Sequence, residues 1–344
     1  MTEFTNMNRR KALATLGGAA AVAAGGLTLS IGNSANAASK KINFITPWGY
    51  LIGFAPMLYA VSGGFFKKEG LDVNIQGGKG SAMAIQQVLG GQSQFSRTGG
   101  VDLLRAAHGK GAPIKAIATV AQASPMFVIS DKSAPINGPE DMKGKTIGVT
   151  SKGGLAENLL NMILEDNGIK ASTINREAVG NSPGAFALIG QGKVNAYIAS
   201  MGTVVKLKRA GQPIVAWNTD KYAPVPGQVY TAHTDMIAND PETITKFLRA
   251  VNNSMNELFA ANDLMPALES MKMFKVRDLK NLETAEEALR GEMELYTAEG
   301  KENLLRNVPA RWQGAMDKMA KVGLVKAGNA SDYYTNKFID AVKG

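Results

Sequence analysis

Short runs of β-branched and aromatic residues alternate with amphipathic stretches along most of the chain. In the stretch 81–89, Ala82, Ile85 and Leu89 share one helical face, and the stretch 155–167 ends just before Gly168, which is typical of a helix C-terminus. Strands that alternate with helices predict an α/β protein with mainly parallel sheets. The predicted strands are 42–46, 72–76, 94–98, 115–121, 127–130, 146–150, 175–179, 195–199, 213–217 and 228–231.

The pattern changes after about residue 240, where strand signals stop. Asp240, Pro241 and Glu242 are typical of a helix start, with Asp as N-cap and Pro at the first helical position. We expect helices from there to Gly344, broken near Asn262, Gly300 and Pro309. The strands before residue 125 and those between 145 and 220 predict two sheets, and therefore two lobes.

Residues 1–37 have the three parts of an export signal. Arg9, Arg10 and Lys11 precede an uncharged Ala- and Gly-rich run over 12–31, and Ala35-Asn36-Ala37 is typical of a signal-peptidase site. We expect cleavage after Ala37, and the paired arginines favour the twin-arginine route over the general secretion route. A membrane anchor is the alternative, which so much Gly and Ala disfavours.

Residue usage excludes several kinds of chemistry. The chain has no cysteine, which excludes disulfides, a thiol nucleophile, a cysteine-ligated zinc site and an iron–sulfur cluster. It has two histidines, His108 and His233, which we expect to be structural. The formal charge is +9, and removal of the predicted signal lowers it by two. The basic residues are scattered among acidic ones, so we expect no nucleic-acid partner.

Several segments carry a resemblance to a known family. They are Gly53-Phe54-Ala55-Pro56, the segment GGFFKKEGLDV at 63–73, QVLGGQ at 87–92, residues 106–113 and DMKGKTIGV at 141–149. In this order they resemble the nitrate/sulfonate/taurine-type solute-binding proteins of ABC importers, a family that includes binding proteins for thiamine-pyrimidine precursors. The resemblance covers residues 40–240. We expect Phe65 and Phe66 in it to pack in the core.

The resemblance implies a two-lobe periplasmic-binding-protein fold of type II, with a mainly parallel sheet flanked by helices in each lobe and a helical C-terminal segment. Lobe 1 would comprise 38–128 and 228–344, lobe 2 would comprise 129–227, and the ligand would bind between them. It also implies a monomer in the periplasm that binds a small-molecule ligand and an ABC permease in the inner membrane, without a cofactor.

Candidate ligand-binding residues follow the strands, because ligands of α/β folds bind at the carboxyl ends of strands and at helix N-termini. Trp48, Tyr50 and Phe54 follow the first strand and suit a planar ligand, with packing at the lobe edge as the alternative. Lys79 and Ser81 belong to a glycine-rich turn whose backbone amides could bind an anion. The alternative is a flexible turn without a ligand.

Further candidates come from later strand ends. Arg97 and Thr98 end a strand, and the guanidinium could hold a carboxylate or sulfonate; the alternative is a salt bridge between lobes or at the surface. Family members often carry an acid just before this position, and the absence of one at 92–96 favours an anion. Gln122 lies where the chain first crosses between lobes, facing the cleft or forming the hinge.

The second lobe supplies the remaining candidates. Ser151, Lys152 and Gly153 precede the 155–167 helix and suit an anion, with helix capping by Ser151 as the alternative. Asn181 and Ser200 end strands and could donate neutral hydrogen bonds.

The lysines and Arg97 favour a small organic anion, a sulfonate or aromatic carboxylate, delivered to a permease after the lobes close. A neutral heterocycle such as a pyrimidine precursor is the alternative ligand. A ligand sensor that is not coupled to transport stays open. We do not expect an enzyme, because the thiamine-pyrimidine enzymes of this fold use a histidine and a cysteine-rich segment that this chain lacks.

Overall fold

Within residues 39–344, ten strands form two five-stranded sheets. The computed structural model describes residues 39–344, so the predicted export signal and its cleavage after Ala37 lie outside the described residues. The strands are β1 (Lys40–Thr46), β2 (Leu71–Gly77), β3 (Phe95–Thr98), β4 (Ile114–Ala121), β5 (Met126–Asp131), β6 (Thr146–Val149), β7 (Asn175–Ala178), β8 (Ala196–Ser200), β9 (Ile214–Asn218) and β10 (Gln228–His233). All ten predicted strands are therefore confirmed, with ends that differ by at most two residues.

The first sheet has the order β2-β1-β3-β10-β4 and the second has the order β7-β6-β8-β5-β9. Neighbours pair in parallel except at β10 and β5, which run antiparallel to both of their neighbours. Each of these two strands is the first one after the chain has crossed from one sheet to the other. A strand that begins where parallel strands end must run in the opposite direction, so the crossings account for the two reversed strands.

The chain crosses between the sheets at residues 122–125 and 219–227. We call the first sheet with its flanking helices lobe 1, and the second sheet with its helices lobe 2. The exact domain limits 38–128, 129–227 and 228–344 stay a prediction.

Thirteen α-helices accompany the strands within residues 39–344. The predicted helices at 81–89 and 155–167 and the helical C-terminal segment are confirmed. The helices are α1 (Ala55–Ser62), α2 (Phe65–Lys68), α3 (Ser81–Leu89), α4 (Gly100–Lys110), α5 (Leu155–Asp166), α6 (Ala187–Gly190), α7 (Met201–Arg209), α8 (Thr234–Asn239), α9 (Pro241–Ala260), α10 (Met265–Met271), α11 (Leu282–Tyr296), α12 (Pro309–Lys321) and α13 (Lys337–Lys343).

The start of α9 differs from the sequence prediction in one contact. The helix begins at Pro241 as expected, but the Asp240 side chain makes no capping hydrogen bond. Its carboxylate instead forms an ion pair with Lys40 Nζ at 2.5 Å, because β1 begins beside this helix. No described helix between residues 39 and 344 is both long and apolar enough to cross a membrane.

The core of lobe 1 is built around Phe247 of α9. Its ring stacks on Phe95 at 4.2 Å between centroids and on Phe66 at 5.4 Å. Phe65 and Phe66 are both buried in this core, as the sequence predicted. A second buried cluster joins α4 of lobe 1 to α5 of lobe 2. The lobes therefore share apolar contacts on one side of the space between them.

Candidate functional site

A narrow cavity lies between the lobes, at the ends of the parallel strands. Its volume is about 70 Å³, well below the several hundred Å³ that an organic ligand needs. Lobe 1 contributes the loop after β1, the start of α3 and the end of β3, and lobe 2 contributes the loops after β6 and β7, the end of β8 and the helix α7. We call this space the inner cavity.

The lobes touch on two sides of the inner cavity. On one side, Arg105 of α4 donates from Nη1 to Asn158 Oδ1 of α5 at 2.9 Å, and Asn158 Nδ2 donates to Asp102 Oδ1 at 2.9 Å. On the other side, Lys206 of α7 forms an ion pair with Asp278, which lies just before α11. The narrow volume therefore belongs to an arrangement with the lobes in contact.

Arg97 forms part of the base of the inner cavity. Its side chain is 1% exposed; Nε donates to Gln228 Oε1 at 3.1 Å and Nη1 donates to the Gly53 carbonyl at 2.6 Å. The guanidinium also lies 4.7 Å from the centroid of the Phe54 ring. The alternative considered for Arg97, a salt bridge between lobes or at the surface, is wrong, because within residues 39–344 no carboxylate lies within ion-pair distance of it.

Glu292 of α11 lies beside Arg97 at the cavity wall. Burial raises the pKa of its carboxyl to about 7; nearby Arg97 lowers this value and Asp278 raises it further. Its Oε2 atom is buried and has no hydrogen-bond partner among the residues the structure describes. A Cβ atom on Gly53 would lie 2.8 Å from Glu292 Oε1, so glycine at this position makes room for the carboxyl group.

Asp278 has partners, in contrast to Glu292. It accepts a hydrogen bond from the Ile52 amide at 3.0 Å and is paired with Lys206. One buried carboxylate of the cavity is therefore neutralised across the lobe interface, and the other is not.

The remaining walls are aromatic, aliphatic and neutral polar. Trp48 and Phe54 of lobe 1 and Leu155 and Met126 of lobe 2 supply apolar surface. Asn181 Oδ1 accepts hydrogen bonds from the Ser200 amide at 2.9 Å and from Thr203 Oγ1 at 3.2 Å. These contacts fix the side-chain amide of Asn181 at the cavity edge.

A second, larger cavity of about 580 Å³ adjoins the inner one, and we call it the outer cavity. The two share Gly80, Ser81, Ser151 and Gly154 in their walls. The outer cavity is rich in cationic side chains. These are Lys79, Arg105, Lys110 and Lys152, with Asp102 as the acidic residue of its wall.

The structure brings ten of the predicted site residues to these two cavities. Trp48, Phe54, Ser81, Arg97, Ser151, Asn181 and Ser200 line the inner cavity, and Lys79, Ser81, Ser151, Lys152 and Gly153 line the outer one. The capping alternative for Ser151 is wrong, because the N-cap of α5 is Gly154 and no side chain caps it.

Three predicted residues lie outside both cavities. Tyr50 donates to the Ile75 carbonyl at 2.9 Å and packs against Phe274, which fits the packing alternative. Thr98 is fully buried at the end of β3. Gln122 donates to the carbonyls of Asn303 and Arg306, which turns its amide toward the C-terminal segment.

Both glycine-rich turns use some of their amides internally. Gly78 donates to the Thr46 carbonyl at 2.9 Å and Gly80 donates to the Pro47 carbonyl. The Gly153 amide donates to the carboxylate of Glu157, in the helix α5 that follows the turn. These three amides are therefore already bonded, and the charge of the lysine side chains is what the turns add to the outer cavity.

Sequence reasoning missed the site residues that come from the C-terminal segment and from α7, namely Lys206, Arg277, Asp278 and Glu292. One signal was available for Glu292. It follows Ala285, Ala288 and Leu289 on the buried face of α11, where a glutamate has no ordinary reason to lie.

Neither histidine contacts the cavities. His108 bonds to Tyr333 Oη and to the Lys326 carbonyl, both at 2.8 Å. His233 accepts from the Asp235 amide at the start of α8. Within residues 39–344, no three side chains of the metal-binding types lie close enough together to hold an ion.

Known proteins share this fold and part of this sequence. The family described as NMT1/THI5 like matches residues 51–263. The riboflavin-binding protein RibY of Chloroflexus aurantiacus is 23% identical over 297 residues, which cover 84% of this chain and 83% of RibY.

Solved structures superimpose over most of the chain. A protein from Bordetella bronchiseptica RB50 matches with a TM-score of 0.70 and 22% identity, over 88% of this chain and 96% of that one. The alkanesulfonate-binding protein SsuA from Xanthomonas axonopodis pv. citri, bound to MOPS, matches with a TM-score of 0.64 and 14% identity, over 86% and 98% of the two chains. The desulfurization enzyme DszB also matches, with a TM-score of 0.55. These likenesses show that the chain has the two-lobe periplasmic-binding-protein fold.

Proposed function

The chain belongs to the NMT1/THI5-like family, and from that premise we propose that it is the extracytoplasmic solute-binding component of an ABC importer. It captures a small organic anion between its lobes and delivers it to a permease in the inner membrane. The predicted export signal at 1–37 supports a periplasmic location. The observation that carries the proposal is the cavity between two lobes that, within residues 39–344, are joined by two crossing segments.

Lobe closure is the capture step. The segments 122–125 and 219–227 act as the hinge, and parting of the lobes exposes the inner cavity to solvent. The contacts between Lys206 and Asp278 and between Arg105 and Asn158 then form on closure. Closure presents a surface built from both lobes, so recognition by the permease is coupled to the presence of ligand.

The cationic side chains support an anionic ligand. The wall of the outer cavity has four cationic side chains and one acidic side chain. The inner cavity adds Arg97 and the exposed Arg277. Trp48 and Phe54 offer apolar surface for a planar or alkyl portion. A sulfonate or an aromatic carboxylate has both parts.

A neutral heterocycle is the second candidate ligand, and one observation favours it. The unpartnered carboxyl of Glu292 at the cavity wall opposes an anion there and accepts a hydrogen bond from an N–H group. The similarity to RibY, a riboflavin-binding protein, agrees with this candidate.

We further propose that the protein is not an enzyme and acts as a monomer. The absence of cysteine and the structural contacts of both histidines support a binding role without thiol-based or histidine-based catalysis. DszB shares the fold and is an enzyme, so the test of this point is a search for turnover of any solute that binds.

Thermal-shift screening of residues 38–344 tests the proposed function. Sulfonates, aromatic acids, nitrate, pyrimidines and flavins are each added, and we expect an organic anion to raise the melting temperature in a concentration-dependent way. Arg97→Lys, which keeps the charge but loses the planar fork, is expected to weaken that anion at least tenfold. Stabilisation by uncharged heterocycles alone would contradict the anion, and unchanged affinity in Arg97→Lys would remove Arg97 from the site.

A further inference from the structure

The base of the inner cavity has an acceptor group that nothing in the described chain satisfies. Glu292 is 4% exposed, its Oε2 atom is buried without a partner, and no hydrogen bond reaches its carboxyl from residues 39–344. A buried polar group left without a partner costs about 1–3 kcal/mol. Capture of an organic anion, the first candidate ligand, gives this group no task.

A donor group lies close to it and is also only partly used. Arg97 Nε and Nη1 are held by Gln228 and by the Gly53 carbonyl, and within the described residues Nη2 makes no hydrogen bond. Arg97 and Glu292 both lie against Gly53, yet they do not form an ion pair. A hydrogen-bond donor and an acceptor without partners among the described residues therefore line the same narrow space without pairing.

Building on the proposed function, we propose that Arg97 and Glu292 together recognise a ligand edge that has a carbonyl next to an N–H group, as in the lactam of a planar heterocycle. The Arg97 guanidinium donates to the carbonyl, and the Glu292 carboxylate accepts from the N–H. An acidic substituent on the same ligand would lie toward the cationic outer cavity. A plain sulfonate or carboxylate offers no N–H and brings a negative charge toward Glu292.

The charged and titratable groups around Glu292 determine how recognition depends on pH. Arg97 of β3 is the nearby cation, and Asp278 is neutralised by Lys206 of α7. Tyr296, one turn further along α11, donates to the Gly53 carbonyl at 2.9 Å, and the Tyr230 hydroxyl of β10 is buried without a partner. Burial raises the pKa of Glu292 to about 7, so below that pH the carboxyl is mostly protonated in the free protein.

Proton exchange on binding therefore has opposite signs for the two ligand classes. A lactam needs the ionised carboxylate, so its binding releases a proton below pH 7 and strengthens as the pH rises to that value. An anion beside Glu292 favours the protonated carboxyl, so its binding takes up a proton above pH 7 and weakens as the pH rises.

Calorimetry on residues 38–344 measures this sign directly. The probes are orotate and uracil, which have the lactam edge, and benzoate and toluene-4-sulfonate, which lack it. Titrations in two buffers of different ionisation enthalpy give the number of protons exchanged, at pH 6 for proton release and at pH 8 for proton uptake. We expect orotate and uracil to bind with release of nearly one proton, and with affinity that rises about tenfold per pH unit between pH 5 and 6.5.

Two variants separate recognition from folding. Glu292→Gln keeps an oxygen acceptor but has no titratable proton, so we expect lactam binding within about tenfold of the original, without proton release. Glu292→Leu lacks the acceptor, and we expect it to lose lactam binding by more than tenfold. Glu294→Gln changes an exposed glutamate of the same helix and is the control, with binding unchanged.

The outcomes distinguish this proposal from the proposed function. If benzoate or toluene-4-sulfonate binds with proton uptake and the lactams do not bind, solute binding stands and the lactam proposal is wrong. Lactam binding whose proton release persists in Glu292→Gln also overturns it. If no probe of either class binds at millimolar concentration, the proposed function is contradicted as well.

Discussion

Glu292→Gln should change how stability depends on pH even when no ligand is present. The glutamate is fully buried, and its pKa in the folded protein is raised from 4.5 to about 7. The folded state therefore holds a proton that the unfolded state has already released between these two pH values. Stability from this group is fully present below pH 4.5, is lost as the pH rises through about 7, and stays lost above it.

The size of the effect follows from the shift in pKa. Each unit is worth about 1.4 kcal/mol, so a shift from 4.5 to about 7 corresponds to a loss of about 3 kcal/mol between pH 4.5 and pH 8. Glutamine has the same shape and does not titrate. The free energy of unfolding of Glu292→Gln, relative to the original protein, should therefore rise by about 3 kcal/mol over that pH range.

Urea denaturation of residues 38–344 at pH 5, 6, 7 and 8 measures this difference. With an m-value of about 3 kcal/mol per molar urea, the relative midpoint should shift by about 1 M across the series. All other titrating groups are the same in both proteins, so their contributions cancel in the difference. Glu294→Gln is the matched control, and its difference from the original protein should not vary with pH. A constant difference for Glu292→Gln from pH 5 to pH 8 would refute the reasoning.

Three further predictions concern other contacts in the structure. Gly53→Ala places a Cβ 2.8 Å from Glu292 Oε1, at the flexible end of that side chain. We expect ligand affinity to fall about tenfold with little change in melting temperature. A large fall in melting temperature together with the fall in affinity would contradict the placement of Glu292. Gly227→Ala places a Cβ 1.9 Å from the Ala123 carbonyl oxygen, which is backbone, so the free energy of unfolding should fall by more than about 2 kcal/mol. Gly314→Ala is its control, because the space there is open and Gly314 lies within α12, so denaturation should show a gain of about 1 kcal/mol. Lys206→Met leaves the buried Asp278 carboxylate without its cation. A double-mutant cycle with Asp278→Asn, measured as free energies of unfolding, should give a coupling energy of about 1–2 kcal/mol. A coupling energy near zero would mean that the pair does not hold the lobes together.

The fold could be predicted from the sequence because its signals are local. Strands such as β6 and β9 are short apolar runs between turn residues, and α3 and α5 show one apolar face each. The direction of β5 and β10 is not a local property. It depends on where the chain crosses between the sheets, and no pattern within either strand records that.

The candidate site could be predicted only in part, for the same reason. Trp48 and Asn181 follow strands and Arg97 lies near the end of one, so the general rule for α/β folds finds them. Tyr50 also follows a strand, but its hydroxyl donates a hydrogen bond to the Ile75 carbonyl and its ring packs against Phe274. Position after a strand does not determine which way a side chain points.

Glu292 and Asp278 are distant in sequence from the strands that form the cavity. Their place at the cavity wall depends on how α11 packs across the lobe interface, which the local pattern does not reveal. A glutamate on the buried face of an amphipathic helix is nevertheless visible in a sequence. Such a residue has either a buried partner or a function, and here no partner is found among the described residues.

Calorimetric titration of residues 38–344 with a panel of planar organic anions and neutral heterocycles tests the central claim most directly. We predict one solute per protein chain, with affinity that falls at least tenfold in Arg97→Lys and is unchanged in Glu294→Gln. Small-angle X-ray scattering on the same samples should show a smaller radius of gyration with the solute bound, because the lobes close on it. Binding of no solute from the panel, or binding that leaves the radius of gyration unchanged, would contradict capture between the lobes.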